Sequence, residues 1–245
     1  MVLGCRDLER GNAAATAIQR ATGTTRVAVL RLDVADQQSI RSAVRAFKHT
    51  YDRLDVLINN AAVYTAARRL TPDGLEVMLA TNHLGPFLLT TLLYDPAELP
   101  TPSRILTLTA PSTTELTFDD LQGTQHWRAV RAFGASKMCN LLCTCELARR
   151  LAGTGVTVNA VHPGLVRSDF MQEAAAPIRW LLKLVSSTPE QAAAGPVYLA
   201  SSPAVADVTG TFFKGTQPIA ASPYAHAPAV QQRLWRVSAK LTHVA

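Results

Sequence analysis

The run Leu54-Asp-Val-Leu-Ile-Asn-Asn-Ala-Ala62 constrains this chain more than any other stretch. Val56, Leu57 and Ile58 follow one another without polar alternation, so they read as a strand covered on both faces, the condition of a central strand in a parallel sheet. Ligands of such sheets lie at the carboxyl ends of the strands. Asn59, Asn60, Ala61 and Ala62 stand at that end, where small side chains let a ligand approach the backbone. A buried strand that ends in a plain turn accounts for the same residues without a ligand.

The flanking patterns supply the crossovers that a parallel sheet needs. Met1–Cys5 reads as a strand and Leu8–Thr22 as a helix; Val27–Leu32 is a strand ending in Asp33-Val34, and Gln37–Tyr51 is an amphipathic helix with Ile40, Val44 and Phe47 on one face. After the Leu54 strand, helices are expected over Gly74–Leu93 and Ala129–Leu151 and strands over Arg104–Thr109 and Val156–Val161. Phe170–Ser187 reads as a flap with an apolar centre, followed by a helix over Pro189–Ser201, a short strand over Gly210–Phe213 and a helix over Ala229–Leu241. This alternation gives an α/β fold class, a doubly wound Rossmann-like parallel sheet. No linker-like run divides the chain, so a single domain over 1–245 is expected.

The formal charge of +6 is scattered, with no block of five or six like charges, so no nucleic acid partner is expected. Cys5, Cys139, Cys143 and Cys145 form no C-x-x-C pair, which fits reduced thiols in a cytoplasmic protein. A run of 18 apolar residues and a signal peptide are both lacking, so no membrane segment is expected. His83 and His162 have no carboxylate or cysteine at ligand spacing, and no metal is expected. Asp119 and Asp120 read as a turn and helix cap.

Several landmarks recur in a fixed order: Gly4-Cys5-Arg6-Asp7, Leu32-Asp33-Val34, Asn59-Asn60-Ala61-Ala62, Asp73-Gly74, Asn82-His83-Leu84-Gly85, Phe118-Asp119-Asp120-Leu121, Ser136-Lys137, His162-Pro163-Gly164-Leu165-Val166 and Arg233-Leu234-Trp235. Together they resemble the short-chain dehydrogenase/reductase family, and most closely its retinol-dehydrogenase-like branch. The resemblance implies an NADP-dependent oxidoreductase acting on a lipophilic alcohol, aldehyde or ketone, but function has to be argued at the site.

There the chain departs from the family. Family members move the substrate proton with a tyrosine four residues before the lysine and hold the substrate oxygen with a serine at the end of the preceding strand. Phe133 stands four residues before Lys137, and Ala110 occupies the serine position. Hydride transfer to a carbonyl builds negative charge on oxygen, so the reaction needs a proton donor and a second hydrogen-bond donor. A phenol does this near neutral pH because a neighbouring ammonium lowers its pKa. Phe133 has the ring without the proton. Lys137, which in the family also holds the cofactor ribose, and Asn82, which supports a water leading protons to the lysine, are both kept. Thr109, Ser112, Ser136 and Tyr64 are the nearby hydroxyls that would have to substitute. Losing general-acid catalysis costs on the order of 10²–10⁴-fold, so this form is expected to be inactive or nearly so.

The second departure is at the start. The family's G-x-x-x-G-x-G turn offers backbone N–H groups and a helix N-terminus to the cofactor pyrophosphate. It follows the first strand, whereas Met1–Cys5 corresponds to the second. The expected sheet therefore lacks the first strand and the glycine-rich turn. In the order 3-2-1-4-5-6 that strand lies between the second and the fourth, so Met1–Cys5 is separated from Leu54–Ala62 and backbone groups are left unpaired. Three outcomes are open: a natural product with a longer N-terminus, direct pairing of the two strands, or a chain that does not fold stably.

If NADP binds, the family pattern sets Arg6 against the 2′-phosphate, where a planar guanidinium suits the group, although a solvated arginine explains Arg6 equally well. Asp33 and Val34 border the adenine, Asn60, Ala61 and Ala62 the adenosine ribose and diphosphate, and Pro163, Gly164 and Val166 the nicotinamide, with Ser168 where the family commonly has threonine. The helices over Gly74–Leu93 and Ala129–Leu151 resemble the family's dimerisation pair, which makes Phe87, Leu141 and Leu142 interface or core residues. Beside the oxidoreductase reading stand two others: a non-catalytic binding or dimerisation module, as a homodimer or a heterodimer with an active relative, and a truncated product without an independent role.

Overall fold

The computed structural model describes residues 1–94, 102–164 and 187–244. Its first half runs β1 (Val2–Cys5), α1 (Leu8–Thr22), β2 (Ala28–Arg31), α2 (Gln37–Thr50), β3 (Val56–Asn59), then α3 (Val77–Leu79), a π-helical segment (Ala80–Leu84) and α4 (Gly85–Leu93). The second half runs β4 (Ser103–Leu108), α5 (Ala129–Arg150), β5 (Val156–His162), α6 (Pro189–Ser201), β6 (Phe212–Lys214), β7 (Gln217–Pro218) and α7 (Pro228–Thr242). Phe118–Asp120 forms a short 3-10 helix where a polar loop is expected. Of the flap expected over Phe170–Ser187, all but Ser187 lies outside the described residues.

The strands form two sheets. β1 and β2 pair in parallel, from Val2 opposite Ala28 to Cys5 opposite Arg31. β3, β4, β5, β6 and β7 form the second sheet in that order, parallel except for the β6–β7 pair. Among the described residues β1 does not pair with β3, and β3, expected as a central strand, is an edge. With a ladder on one side only, the strand expected over Leu54–Ala62 contracts to Val56–Asn59, and Ile58 is left 43% exposed.

Helix packing joins what the ladders do not. Asp36 caps α2, its carboxylate accepting from the N–H groups of Gln38 and Ser39 at 2.8 and 3.0 Å. The helix then buries Ile40 and Val44 against Leu88 and Leu89 of α4, and Leu32 and Leu57 join this cluster from the two sheets. Burying one aliphatic side chain contributes roughly 1.5–3 kcal/mol, against roughly 0.5–1.5 kcal/mol net for one hydrogen bond. The cluster thus offsets a missing four-residue ladder. Where α4 begins, Gly85 lies so close to the β2 ribbon that a β-carbon on it would stand 1.9 Å from the Val34 carbonyl oxygen.

The helix expected over Gly74–Leu93 starts later and is interrupted. Glu76 caps it, accepting from the Leu79 N–H at 2.7 Å and from Trp127 Nε1 at 3.4 Å. The π-helical segment Ala80–Leu84 is wholly buried and carries Asn82 and His83; such segments recur at functional positions. His83 Nε2 lies 2.8 Å from Ser238 Oγ of α7. Burial lowers its pKa to about 4, against the opposing effect of a hydrogen bond with Asn140.

α7 closes the outer face of α4 and α5. The Trp235 ring meets Phe87 edge-on at 4.9 Å, and the Arg150 guanidinium lies 4.3 Å above Trp235. The fully buried carboxylate of Glu146 is paired within α5 by Arg149 and Arg150 at 2.6 and 2.7 Å. Phe87, Leu141 and Leu142 are buried, and so belong to the core. All four cysteines are free thiols, with Cys139 buried and the other three partly so.

Two stability measurements check this packing. Gly85→Ala drives a methyl group into the Val34 carbonyl and is expected to cost about 3 kcal/mol, read from the urea midpoint. Between pH 7 and pH 5 the unfolded chain protonates His83 at its ordinary pKa of 6.5 while the folded chain keeps it neutral. The unfolded state then binds more protons, so this residue's contribution falls by about 2 kcal/mol on acidification and returns above pH ~6.5. A His83→Gln variant is expected to flatten the pH dependence of unfolding by that amount.

Candidate active site

Phe133 and Lys137 are one turn apart on the same face of α5. Lys137 Nζ lies 5.3 Å from the centre of the Phe133 ring. The lysine is only 5% exposed, and burial lowers its pKa to about 8. A cation near a ring face is favourable, the more so when desolvated, but the ring has no proton to exchange.

Hydrogen bonds from the end of β4 dock the following segment onto α5. Thr109 Oγ1 donates to the Lys137 carbonyl at 3.1 Å and Ser112 Oγ to the Gly134 carbonyl at 2.8 Å, with Ala110 between them in sequence. Gly134 has no room for a side chain, since a β-carbon there would lie 2.4 Å from Thr114 Oγ1. At the end of β5, half-buried His162 lies with Nδ1 3.4 Å from the Thr109 carbonyl oxygen. Burial lowers its pKa, the Thr109 contact opposes this, and the charges of Lys214 and Lys137 reinforce it.

Asn82 ties the loop after β3 to α5. Its Oδ1 accepts from Val63 N–H at 2.7 Å, and its Nδ2 donates to the Val63 carbonyl at 3.1 Å and to Ser136 Oγ at 2.9 Å. Ser136 Oγ in turn donates to the Phe133 carbonyl at 2.8 Å. The loop so held presents Tyr64, whose ring meets Phe133 edge-on at 5.8 Å. Of the four hydroxyls near the lysine, those of Thr109, Ser112 and Ser136 are thus engaged with main-chain carbonyls of α5, and Tyr64 packs by its ring.

The residues expected along a cofactor fall into two groups. Asn60 and Ala61 are exposed and Ala62 half-buried just past β3; Pro163 and Gly164 are half-buried just past β5. These follow the carboxyl ends of parallel strands, as do Thr109 and Ala110 after β4. Gly164 has φ of +84°, a conformation that favours glycine. Arg6, Asp33 and Val34 follow the carboxyl ends of β1 and β2 on the separate ribbon. Arg6 is exposed, Asp33 accepts from the Ala35 N–H at 2.9 Å, and Val34 abuts Gly85. Val166 and Ser168 lie outside the described residues.

At the head of α1 the Asp7 carboxylate accepts from the N–H groups of Glu9 and Arg10 at 3.0 and 3.1 Å. The positive end of this helix is therefore already matched by a side-chain anion. Glu76 and Gly134 are not legible in the sequence as site-shaping residues. Their partners, Trp127 and Thr114, come from loops with no repeat to announce them. Among the described residues no group of three or more His, Cys, Asp or Glu is arranged to hold a metal ion. Nor is any described helix long and apolar enough to cross a membrane.

Comparison with known proteins gives this arrangement its context. Residues 1–178 match the family model described as short chain dehydrogenase. Human retinol dehydrogenase 13 is 40% identical over 255 residues, covering 98% of this chain and 76% of the relative. Human retinol dehydrogenase 11 is 38% identical over 244 residues, with the same coverage of 98% and 76%. Among solved structures, an uncharacterized protein from Mycobacterium Paratuberculosis superposes with a TM-score of 0.70 at 30% identity, over 99% of this chain and 84% of that one. A short chain dehydrogenase from Burkholderia cenocepacia, solved in complex with NADP, shares the fold with a TM-score of 0.66 at 23% identity, over 92% of this chain and 86% of that one. With its lysine site at the carboxyl ends of a parallel sheet and this extent of shared sequence, the chain belongs to the short-chain dehydrogenase/reductase family, in its retinol-dehydrogenase-like branch.

Proposed function

We propose that this chain is an NADP-binding member of its family that transfers hydride slowly or not at all. The observation that carries the reading is the phenyl ring of Phe133 beside the buried ammonium of Lys137, 5.3 Å from ring centre to Nζ. NADP, when bound, supplies or accepts the hydride. Lys137 would hold the nicotinamide ribose through hydrogen bonds from its ammonium, and Pro163 and Gly164 would border the nicotinamide. Asn60, Ala61 and Ala62 would line the adenosine ribose and diphosphate, with Asp33 and Val34 beside the adenine and Arg6 against the 2′-phosphate. The diphosphate is the weakest part of this fit, because Asp7 already occupies the leading N–H groups of α1.

A lipophilic aldehyde or ketone would find neither a proton nor a second oxygen ligand at the usual positions, which Phe133 and Ala110 occupy. The surrounding hydroxyls of Thr109, Ser112 and Ser136 are engaged with main-chain carbonyls. A dimerisation role through α4 and α5 has less support, because α7 covers Phe87 in this structure.

Calorimetric titration with NADPH tests the binding half. Saturable binding is expected, lost in Lys137→Ala and weakening between about pH 7 and pH 9 as the lysine deprotonates through its lowered pKa. Absence of binding to the folded chain overturns the reading. Turnover of all-trans-retinal with NADPH tests the other half: the Phe133→Tyr, Ala110→Ser double variant is expected to exceed the parent by on the order of 10²–10⁴-fold. A parent as fast as the double variant overturns the silent assignment.

A further inference from the structure

We propose that Lys137 captures lipophilic aldehydes as a Schiff base, so that the chain holds an aldehyde covalently and reversibly without transferring hydride to it. The inference shares with the functional reading above the phenyl ring that cannot pass a proton, and it does not rest on NADP binding. It rests on how one amine is placed.

An exposed lysine is a poor nucleophile, because at neutral pH its ammonium is protonated and strongly hydrated. The amine turns nucleophilic when it is desolvated and no anion holds it in the charged form. Lys137 meets both conditions. It is 5% exposed, and among the described residues no carboxylate pairs with it. The hydroxyls that flank it are directed to main-chain carbonyls, Thr109 to that of Lys137 itself, Ser112 to that of Gly134 and Ser136 to that of Phe133. Burial lowers the pKa of the amine to about 8. At pH 7 its neutral fraction is then on the order of a hundred times that of an ordinary lysine.

The surroundings suit the product as well as the nucleophile. The amine nitrogen attacks the carbonyl carbon, a C–N bond forms, and the carbonyl π electrons move to oxygen. The carbinolamine then loses that oxygen as water, both of whose hydrogens come from the nitrogen. Nothing is oxidised or reduced, and water reverses the step. Starting from the ammonium, the same balance leaves an iminium cation. Nζ already lies 5.3 Å from the centre of the Phe133 ring, and a cation over an aromatic face is favoured most where it is desolvated. Tyr64 meets the same ring edge-on at 5.8 Å, so the two rings offer an apolar wall to the tail of the aldehyde. Tyr64, Ala110, Phe133 and Gly164 are half-buried, which leaves the neighbourhood of the amine partly open.

The test incubates the full chain with 2-naphthaldehyde and sodium cyanoborohydride, which reduces an imine to a stable secondary amine, and maps the adducts by mass spectrometry of peptides. At pH 7 and low conversion, Lys137 is expected to be modified about tenfold faster, or more, than the exposed Lys48, Lys214 and Lys240. In guanidinium chloride at an unfolding concentration the preference is expected to vanish, because it comes from burial. Lys137→Arg keeps a cation in place without a nucleophilic amine, and is expected to leave only the slow background at the exposed lysines. NADPH is expected to protect Lys137, since the cofactor ribose would take the same amine. Fast modification of Lys137 that NADPH does not slow upholds aldehyde capture and overturns cofactor binding at this lysine, so the two readings fail separately. Modification of Lys137 no faster than of the exposed lysines overturns the proposal, as does a preference for Lys137 that persists in the unfolded chain.

Discussion

Two sheets that share no hydrogen-bond ladder are held together chiefly by the packing of α2 on α4, pinned where Gly85 abuts the Val34 carbonyl and supplemented by Gln37 and Arg41 of α2, which donate to the Leu241 and Thr242 carbonyls of α7. Much of the molecule depends on it. β1 and β2 carry Arg6, Asp33 and Val34, while the other sheet carries the residues around Lys137, so the distance between the two halves of the candidate site is set by side-chain packing. In a sheet of neighbouring strands it would be set by a hydrogen-bond ladder of fixed spacing. Apolar contacts have no such ruler: they tolerate small slides at little cost until a hard contact is met. The close approach at Gly85 is that hard contact, which is why one methyl group there matters more than it would on an open helix face.

Around Lys137 the framework and the reacting groups have separated. Asn82 still clamps the loop after β3, Ser136 still bridges Asn82 to the Phe133 carbonyl, and Ser112 still holds the β4 end on α5. These bonds need only main-chain partners and small hydroxyls, and they survive whatever stands at Ala110 and Phe133. Lys137 remains buried, its ammonium beside an aromatic face. An amine with a lowered pKa beside a ring that cannot ionise is suited to holding a ligand hydroxyl and poorly suited to passing a proton.

Periodicity made most of this fold legible in the sequence. The boundaries of α1 and α6 agree with the pattern to the residue, because Asp7 and Thr188 are capping residues that stop the pattern abruptly. The edge status of β3 was not legible from its own residues: an unbroken apolar run describes a strand suited to burial, not which neighbours are present to bury it. The π-helical segment was hidden for another reason. A slip in the hydrogen-bond ladder leaves no mark in the sequence of a helix buried all round, as Ala80–Leu84 is, and the late start at Val77 depends on the Glu76 carboxylate turning back on the Leu79 N–H. At the site, Phe133 and Ala110 could be read from their spacing to Lys137. Tyr64 reaches Phe133 only through a loop whose course depends on Asn82.

The position of α7 in the chain has a consequence for biosynthesis. It follows in sequence every element it covers, so a growing chain displays Phe87 and the outer turns of α5 to solvent until Trp235 has cleared the ribosome. Glu146 is provided for in advance, since Arg149 and Arg150 belong to its own helix and neutralise it as that helix forms. His83 has a partner in Asn140 of α5 and gains Ser238 only when α7 docks. Nascent chains of this protein therefore pass through a stage in which a sticky helical face is exposed before its cover is made. That stage, rather than the finished fold, is where chaperones would find the most to hold.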